Sequence, residues 1–255
     1  MPFVSVHGAK VRYREAGRGR PGTPLLLIHG AGSSSAVWLT TLHRLGRHRH
    51  TVAFDLPGHG QSPGAPRTFA ELRDAVGLTA AALCLGPSIL VGHSLGGLLA
   101  LTAALEWPDK VVGLGLVTTA PRFTVSRRLF AVLDDDFAHW PDFLRETAHS
   151  PDTPVDVRRR SASVASAADQ AQTRADFVIC TGADADATPR LADVRAPTLV
   201  VSGADDLMAV PKWSDLLSDR IPGARRVHLP RCGHFPMHEQ PDALAAALVE
   251  HIRVL

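Results

Sequence analysis

Cysteine is scarce in this sequence: its 255 residues include only Cys84, Cys180 and Cys232. An odd number of widely separated cysteines does not suit a disulfide framework and is typical of free thiols, so we predict a reducing, cytoplasmic compartment. Net charge is also small, +2 from 27 basic and 25 acidic residues. So weak a bias argues against a nucleic-acid partner or a charged membrane surface as partner.

Long apolar runs are missing as well. No run approaches the roughly 18 residues that cross a bilayer, so no membrane span is predicted, and the N-terminal residues mix strand-forming and charged types unlike a signal peptide. No P-loop occurs, and no G-x-G-x-x-G pattern opens a helix. His234 and His238 lie four residues apart, but a proline separates them and no third ligand is near. We therefore predict neither a metal nor an organic cofactor.

The composition is that of a globular protein, with 45% hydrophobic and 20% charged residues. Continuous apolar runs alternate with helical patterns, which predicts an α/β fold with a mostly parallel, eight-stranded sheet flanked by helices. The alternation stops at residues 121–187, where helical patches at 126–133, 142–147 and 155–169 occur without a strong strand. We predict a core of residues 1–120 and 188–255, and a helical insertion of residues 121–187 over the carboxyl edge of the sheet. We call this insertion the cap.

The most informative stretch is SILVGHSLGG at 88–97, an apolar run that breaks at Gly92-His93-Ser94-Leu95-Gly96. A buried strand that turns sharply into a helix at G-x-S-x-G holds its serine in a strained conformation with the hydroxyl exposed. The flanking glycines remove side chains that would collide at such a turn. The plain alternative, Ser94 as an ordinary helix N-cap, needs no flanking glycines.

Five motifs in order resemble the α/β-hydrolase superfamily: HGAGSS at 29–34, DLPGHGQS at 55–62, GHSLGG at 92–97, SGADD at 202–206 and CGHFPMHEQP at 232–241. The likeness runs nearly from end to end and is thin only in the cap. It implies an oxyanion loop, a turn after the fourth strand, a nucleophile elbow, an acid-bearing strand end and a histidine loop. Such motifs are specific for the fold and far less so for the substrate.

The resemblance implies a catalytic triad of Ser94, Asp206 and His234, in the chain order that this fold uses. Asp205 competes with Asp206, which is preferred because the family places its acid three residues after the glycine that ends the strand. The implied oxyanion hole consists of the backbone amides of Leu95 and Ala31, with Gly32 as an alternative to Ala31. His29, His59 and His93 are predicted to be structural.

We therefore predict a serine hydrolase that cleaves a carboxylic ester of a small or medium-sized substrate through an acyl-enzyme, as a monomer or homodimer. An enol-lactonase, a cofactor-free perhydrolase, a carbon–carbon bond hydrolase or a non-catalytic small-molecule-binding relative are alternatives. Two features of the cap stay open. Its aromatic residues either line an acyl pocket or form its own core, and the arginines at 158–160 are favoured as a solvated helix face over an acid-binding site.

Overall fold

The computed structural model describes residues 2–66, 68–167 and 169–255. Within these residues eight strands form one sheet: β1 (Phe3–Val6), β2 (Ala9–Ala16), β3 (Leu25–Ile28), β4 (Thr51–Phe54), β5 (Ser88–His93), β6 (Val111–Val117), β7 (Thr198–Gly203) and β8 (Arg225–Leu229). The α-helices are α1 (Leu39–Leu45), α2 (Phe69–Ala82), α3 (Leu95–Glu106), α4 (Arg127–Asp135), α5 (Trp140–Thr147), α6 (Val155–Ala165), α7 (Gln170–Cys180), α8 (Lys212–Arg220), α9 (Pro236–Glu239) and α10 (Pro241–Ile252).

The strand order in the sheet is β1-β2-β4-β3-β5-β6-β7-β8. Strand β2 pairs antiparallel with β1 and β4, and every later pairing is parallel. Strands β3, β4, β5 and β7 are buried at every position, as expected when helices cover both faces of a parallel sheet. The predicted fold class, a mostly parallel eight-stranded sheet flanked by helices, is confirmed.

One helix of the cap was missed by sequence reasoning. Outside the cap, a 3₁₀ turn at Ser35–Trp38 precedes α1 and continues into it. In the cap, the single helix predicted over 155–169 ends at Ala165, and α7 follows as a separate helix. The sequence of α7 shows no clear apolar face because the helix buries polar side chains, among them Gln172, Thr173 and Asp176.

Helices α4 to α7 all lie in the chain between β6 and β7. Their aromatic and aliphatic side chains join the same hydrophobic cluster as the strands, with Trp140, Leu144 and Phe177 buried in it. The boundaries of the cap at residues 121 and 187 stay predictions. No helix in the ranges that the structure describes is both long enough and apolar enough to cross a membrane.

The register of the parallel strands brings the motif loops to one edge of the sheet. Ile28 pairs with Gly92, so the loop after β3 lies beside the turn after β5. Gly203 pairs with Leu229 at the far side of the same edge, where the loops after β7 and β8 emerge. The carboxyl edge of an open α/β sheet is its usual ligand-binding edge, so the candidate site belongs there.

Candidate active site

Ser94 lies on a strained turn between β5 and α3. Its backbone has φ 53° and ψ −122°, a left-handed conformation that is costly for a residue with a side chain. A Cβ atom at Gly92 would overlap the carbonyl oxygen of Gly96, and one at Gly96 would overlap the carbonyl oxygens of Ile28 and His29. Both flanking glycines are therefore required by close backbone approach.

The helix that follows the elbow supplies backbone amides beside the serine. The Ser94 carbonyl accepts the amides of Gly97 at 2.9 Å and Leu98 at 3.2 Å, and the Thr119 hydroxyl at 2.6 Å. Leu95 is the first residue of α3, so its amide has no carbonyl partner within the helix. It is placed as a candidate donor to a negatively charged oxygen bound beside Ser94.

His234 and Asp206 form a buried hydrogen-bonded pair. The His234 Nδ1–H donates to Asp206 Oδ2 at 2.9 Å, and the two side chains are 2% and 0% exposed. Asp206 Oδ1 accepts the amides of Met208 at 2.8 Å and Ala209 at 2.9 Å, which fixes the carboxylate plane. Because the proton of the His234 ring is on Nδ1, its Nε2 carries a free lone pair and can act as a base.

Asp205, the competing acid, points elsewhere. Its Oδ2 accepts the Ser150 hydroxyl at 2.5 Å, and its amide donates to the Cys232 carbonyl at 2.9 Å. The geometry therefore places Asp206, and not Asp205, behind the His234 ring.

Hydrogen bonds hold both the amide and the carbonyl of His234 in the histidine loop. The His234 amide donates to the Ala148 carbonyl at 2.8 Å, and the His234 carbonyl accepts His93 Nε2–H and the Thr118 hydroxyl, both at 2.9 Å. Because His93 donates from Nε2 to a carbonyl, it serves the loop as a structural group. Burial, reinforced by the nearby His234 ring, holds the pKa of His93 well below its usual value, so it stays neutral.

Glu239 is a part of this loop that the sequence motifs did not identify as functional. Its carboxylate accepts the amides of Gly233 and Phe235, both at 3.0 Å, on either side of His234. It also accepts the Ser150 amide at 2.9 Å and the Thr153 hydroxyl at 2.6 Å, both from the cap. An acidic residue five positions after His234 in the same motif was the available signal.

In the loop after β3, the Gly32 amide is hydrogen-bonded to a side chain of the cap, and the Ala31 amide is a candidate oxyanion donor. His29 Nε2 accepts the Leu56 amide at 3.0 Å, so its Nδ1 carries the proton and donates to the Gly30 carbonyl at 2.8 Å. The Gly32 amide donates to Asp176 Oδ2 at 2.8 Å. With Gly32 engaged, the Ala31 amide is the candidate of this loop for an oxyanion hole.

Two cavities of very different size meet at Ser94 and Ala31. The larger has a volume of about 230 Å³ and the smaller about 20 Å³. His234 lines the smaller cavity together with Ser94, so the proposed base and nucleophile face a shared space. The larger cavity is mainly apolar, with Phe123, Val125, Leu129, Phe143, Phe177 and Met208 in its wall.

The aromatic residues of the cap divide between the two alternatives left open by the sequence. Phe123 and Phe143 line the larger cavity, and Trp140 lines the smaller one while stacking on Phe143. Phe130 and Phe137 line neither of these two cavities and only pack against the hydrophobic cluster.

Arg160 and His238 bond to neighbouring residues away from Ser94. Arg160 pairs with Asp156 on the exposed surface of α6, in keeping with a solvated face. His238 bonds through Nδ1 to the Ser161 hydroxyl at 2.7 Å, and burial lowers its pKa to about 4. Within the described residues, no group of three or more His, Cys, Asp or Glu side chains could hold a metal ion.

The sequence model of a protein family described as "Alpha/beta hydrolase family" matches residues 25–247 of this chain. The pimeloyl-[acyl-carrier protein] methyl ester esterase of Aromatoleum aromaticum is 31% identical over 250 residues, which cover 90% of this chain and 98% of that protein. The esterase of the same name from Edwardsiella ictaluri is 31% identical over 247 residues, covering 89% and 92%.

Among solved structures, the enol-lactonase from Burkholderia xenovorans LB400 superposes with a TM-score of 0.89 and covers 99% of this chain and 100% of its own. At 24% identity this likeness concerns the fold alone. The curated relatives agree with the predicted class of enzyme, an ester-cleaving hydrolase. With the family model spanning most of the sequence and those relatives aligned over nearly their full length, the chain belongs to the alpha/beta hydrolase family.

Proposed function

We propose that this chain is a serine carboxylesterase in which Ser94 is the nucleophile, His234 the general base and Asp206 the residue that orients it. The observation that carries the proposal is the buried His234–Asp206 pair, whose histidine lines the same small cavity as the strained Ser94. Ser94 Oγ attacks the ester carbonyl while His234 Nε2 takes its proton.

The amides of Ala31 and Leu95 are proposed to hold the negative oxygen of the tetrahedral intermediate. Each such donor lowers the barrier by about 3 kcal/mol in comparable sites. Collapse of the intermediate expels the alcohol, which takes the proton from His234, and leaves the acyl group on Ser94. Water, deprotonated by His234, then attacks the acyl-enzyme and releases the carboxylic acid.

The unequal cavities support an ester of a small alcohol with a larger, apolar acyl group. A cavity of about 20 Å³ has room for one water-sized group, because roughly 10–15 Å³ holds one water molecule. The apolar cavity of about 230 Å³ suits an extended acyl chain. A methyl ester of a medium-length acyl chain fits this division, and it is also the bond type in the name of the curated relatives.

The experiment combines turnover with two substrate series. Wild type should hydrolyse the methyl ester of a fatty acid and react with a fluorophosphonate, and Ser94→Ala should do neither. Methyl, ethyl and tert-butyl esters of one fatty acid should be cleaved in falling order, and esters of longer acids should be accepted until the larger cavity is full. Single labelling of Ser94 without sustained hydrolysis would favour the non-catalytic binding protein, and preference for a cyclic ester would favour the lactonase.

Two buried leucines provide matched variants for the substrate assignment. Leu144 lines the smaller cavity and Leu129 the larger one. Leu144→Ala should relax the preference for a small alcohol, while Leu129→Ala should change only the preference for acyl length. Identical effects on both series would contradict the division of the site. The cytoplasmic location and the monomeric or homodimeric state stay predictions.

A further inference from the structure

A carboxylate of the cap is buried against two loops of the core. Asp176, on α7, has no exposed area. Its Oδ2 accepts the Gly32 amide at 2.8 Å and His59 Nε2–H at 2.6 Å, and its Oδ1 accepts Gln172 Nε2–H at 2.8 Å. Gly32 belongs to the loop after β3 and His59 to the turn after β4, so one side chain joins the cap to both.

The bond to Gly32 acts on the peptide unit that follows the one carrying the Ala31 amide. In a trans peptide the carbonyl of Gly30 and the amide of Ala31 point in opposite directions, so the His29–Gly30 bond sets where the Ala31 N–H points. The next peptide unit, which ends in the Gly32 amide, is held by Asp176. Both peptide planes next to the Ala31 Cα atom are therefore fixed.

The hydrogen bonds also assign the charges in this cluster. His59 has an acceptor at each ring nitrogen, the Pro57 carbonyl 3.0 Å from Nδ1 and Asp176 at Nε2, so both nitrogens donate and the ring is an imidazolium. Burial alone would lower the pKa of His59, but the Asp176 carboxylate outweighs it and the pKa is raised. The adjacent His29, 4.9 Å away between ring centroids, is neutral because it both donates and accepts.

Helix α7 packs closely against both loops at glycine positions. Gly32 has φ +62°, and a Cβ atom there would lie 2.8 Å from the Thr173 side chain of α7. A Cβ atom at Gly58, which also has a positive φ, would overlap Gln172 Oε1 of α7. The glycines of the two loops thus lie directly against side chains of α7, with no room for a side chain of their own.

We propose that Asp176 is a positioning residue for the oxyanion hole: together with the His59 imidazolium, it holds Gly32 and so aims the Ala31 amide at the reacting carbonyl. The docked cap is then a working part of the catalytic apparatus as well as a wall of the substrate cavity. This inference rests on the proposed function, because it takes Ala31 as an oxyanion donor.

The test compares Asp176→Ala, Asp176→Asn and the control Arg174→Gln. Arg174 lies on the same helix, but it is exposed and pairs with Asp134 within the cap. For each variant, kcat and KM are measured with the methyl ester of a fatty acid, and the Kd of an alkyl boronic acid reports binding of a tetrahedral oxyanion mimic. Thermal unfolding verifies that each variant is folded.

Asp176→Ala should lower kcat about 100-fold, the effect of displacing one aligned donor by about 1 Å, while KM changes less than threefold. The Kd of the boronic acid should rise in parallel with the loss of kcat. Asp176→Asn keeps an acceptor oxygen for Gly32 but removes the charge, so it should recover part of the activity. Arg174→Gln should behave as wild type.

A folded Asp176→Asn and Asp176→Ala with kcat and boronic acid affinity within threefold of wild type would overturn the inference. So would a loss confined to KM, because misaimed oxyanion donors act on the transition state. Should Asp176→Ala fail to fold, the isosteric Asp176→Asn still decides the question through the same two measurements. Failure of the proposed function is seen separately, as activity that survives Ser94→Ala.

Discussion

Replacing Asp206 by asparagine gives a sharp test of the proposed site, because the structure dictates how the new side chain must sit. The amides of Met208 and Ala209 both donate to Oδ1, so the single oxygen of the asparagine has to remain at that position. Its NH₂ group then takes the place of Oδ2 and faces Nδ1 of His234. Two donors cannot share that contact, so the His234 ring must adopt the tautomer with its proton on Nε2.

When the His234 ring is protonated on Nε2, this nitrogen has no lone pair to receive the Ser94 proton. Loss of the correct tautomer in a catalytic triad lowers kcat by about 10⁴-fold, which corresponds to about 5.5 kcal/mol at about 1.4 kcal/mol per factor of ten. The same buried volume is kept, and the third hydrogen bond is reversed rather than lost because the asparagine NH₂ donates to His234 Nδ1, so we expect Asp206→Asn to unfold within a few degrees of wild type.

Asp205→Asn is the matched control, one residue away in the same loop. It weakens the bond with the Ser150 hydroxyl but does not face His234. We expect kcat to stay within about threefold of wild type and any penalty to appear in stability, at about 1 kcal/mol. Initial rates with methyl butyrate and thermal melts provide both readouts. Residual activity above one tenth of wild type in Asp206→Asn, or a larger loss in Asp205→Asn, would refute the assignment of the acid.

Three further predictions concern positions around the site. Glu239→Gln should lower the free energy of unfolding in urea by about 1–3 kcal/mol and reduce kcat, because its NH₂ group would face an amide that now donates to the carboxylate; unchanged values would show that this side chain does not hold the loop. Gly96→Ala should yield an inactive or poorly folded protein, since the new methyl group would overlap the carbonyl oxygen of His29; near-normal turnover would contradict the close approach. Burial lowers the pKa of His238 to about 4 from its usual value near 6.5, so the neutral ring contributes about 3 kcal/mol of stability above pH 6.5, and this contribution is lost as the pH falls toward 4. Melting temperatures should therefore drop less steeply between pH 7 and 4.5 in His238→Gln, and an equal drop would disprove this account.

The sequence was most informative where short-range geometry dictates residue type. Gly92 and Gly96, the glycines that flank Ser94, are required by close contacts with backbone atoms of the elbow and of the end of β3. Such constraints leave a local pattern, so the parallel sheet, its eight strands and the placing of Ser94 on a strand-to-helix turn could be predicted.

Contacts between distant segments could not be predicted in the same way. Gly32 and Asp176 are 144 positions apart, and nothing near Asp176 distinguishes it from an exposed aspartate. Helix α7 was missed for a related reason, because the polar residues that it buries against the core look like a solvent-facing surface in the sequence. The choice between Ala31 and Gly32 depends on this one long-range bond.

The cap is hydrogen-bonded to the core at two places: Glu239 of the histidine loop accepts bonds from the cap, and Asp176 of the cap accepts a bond from the loop after β3. One consequence concerns protein engineering, where caps are natural units to exchange between related enzymes in order to change substrate range. A transplanted cap without a carboxylate at 176 and a hydroxyl at 153 would bring a new pocket to a core whose histidine loop and loop after β3 had lost hydrogen-bonding partners. Chimeras of this enzyme should therefore carry those two positions across with the graft.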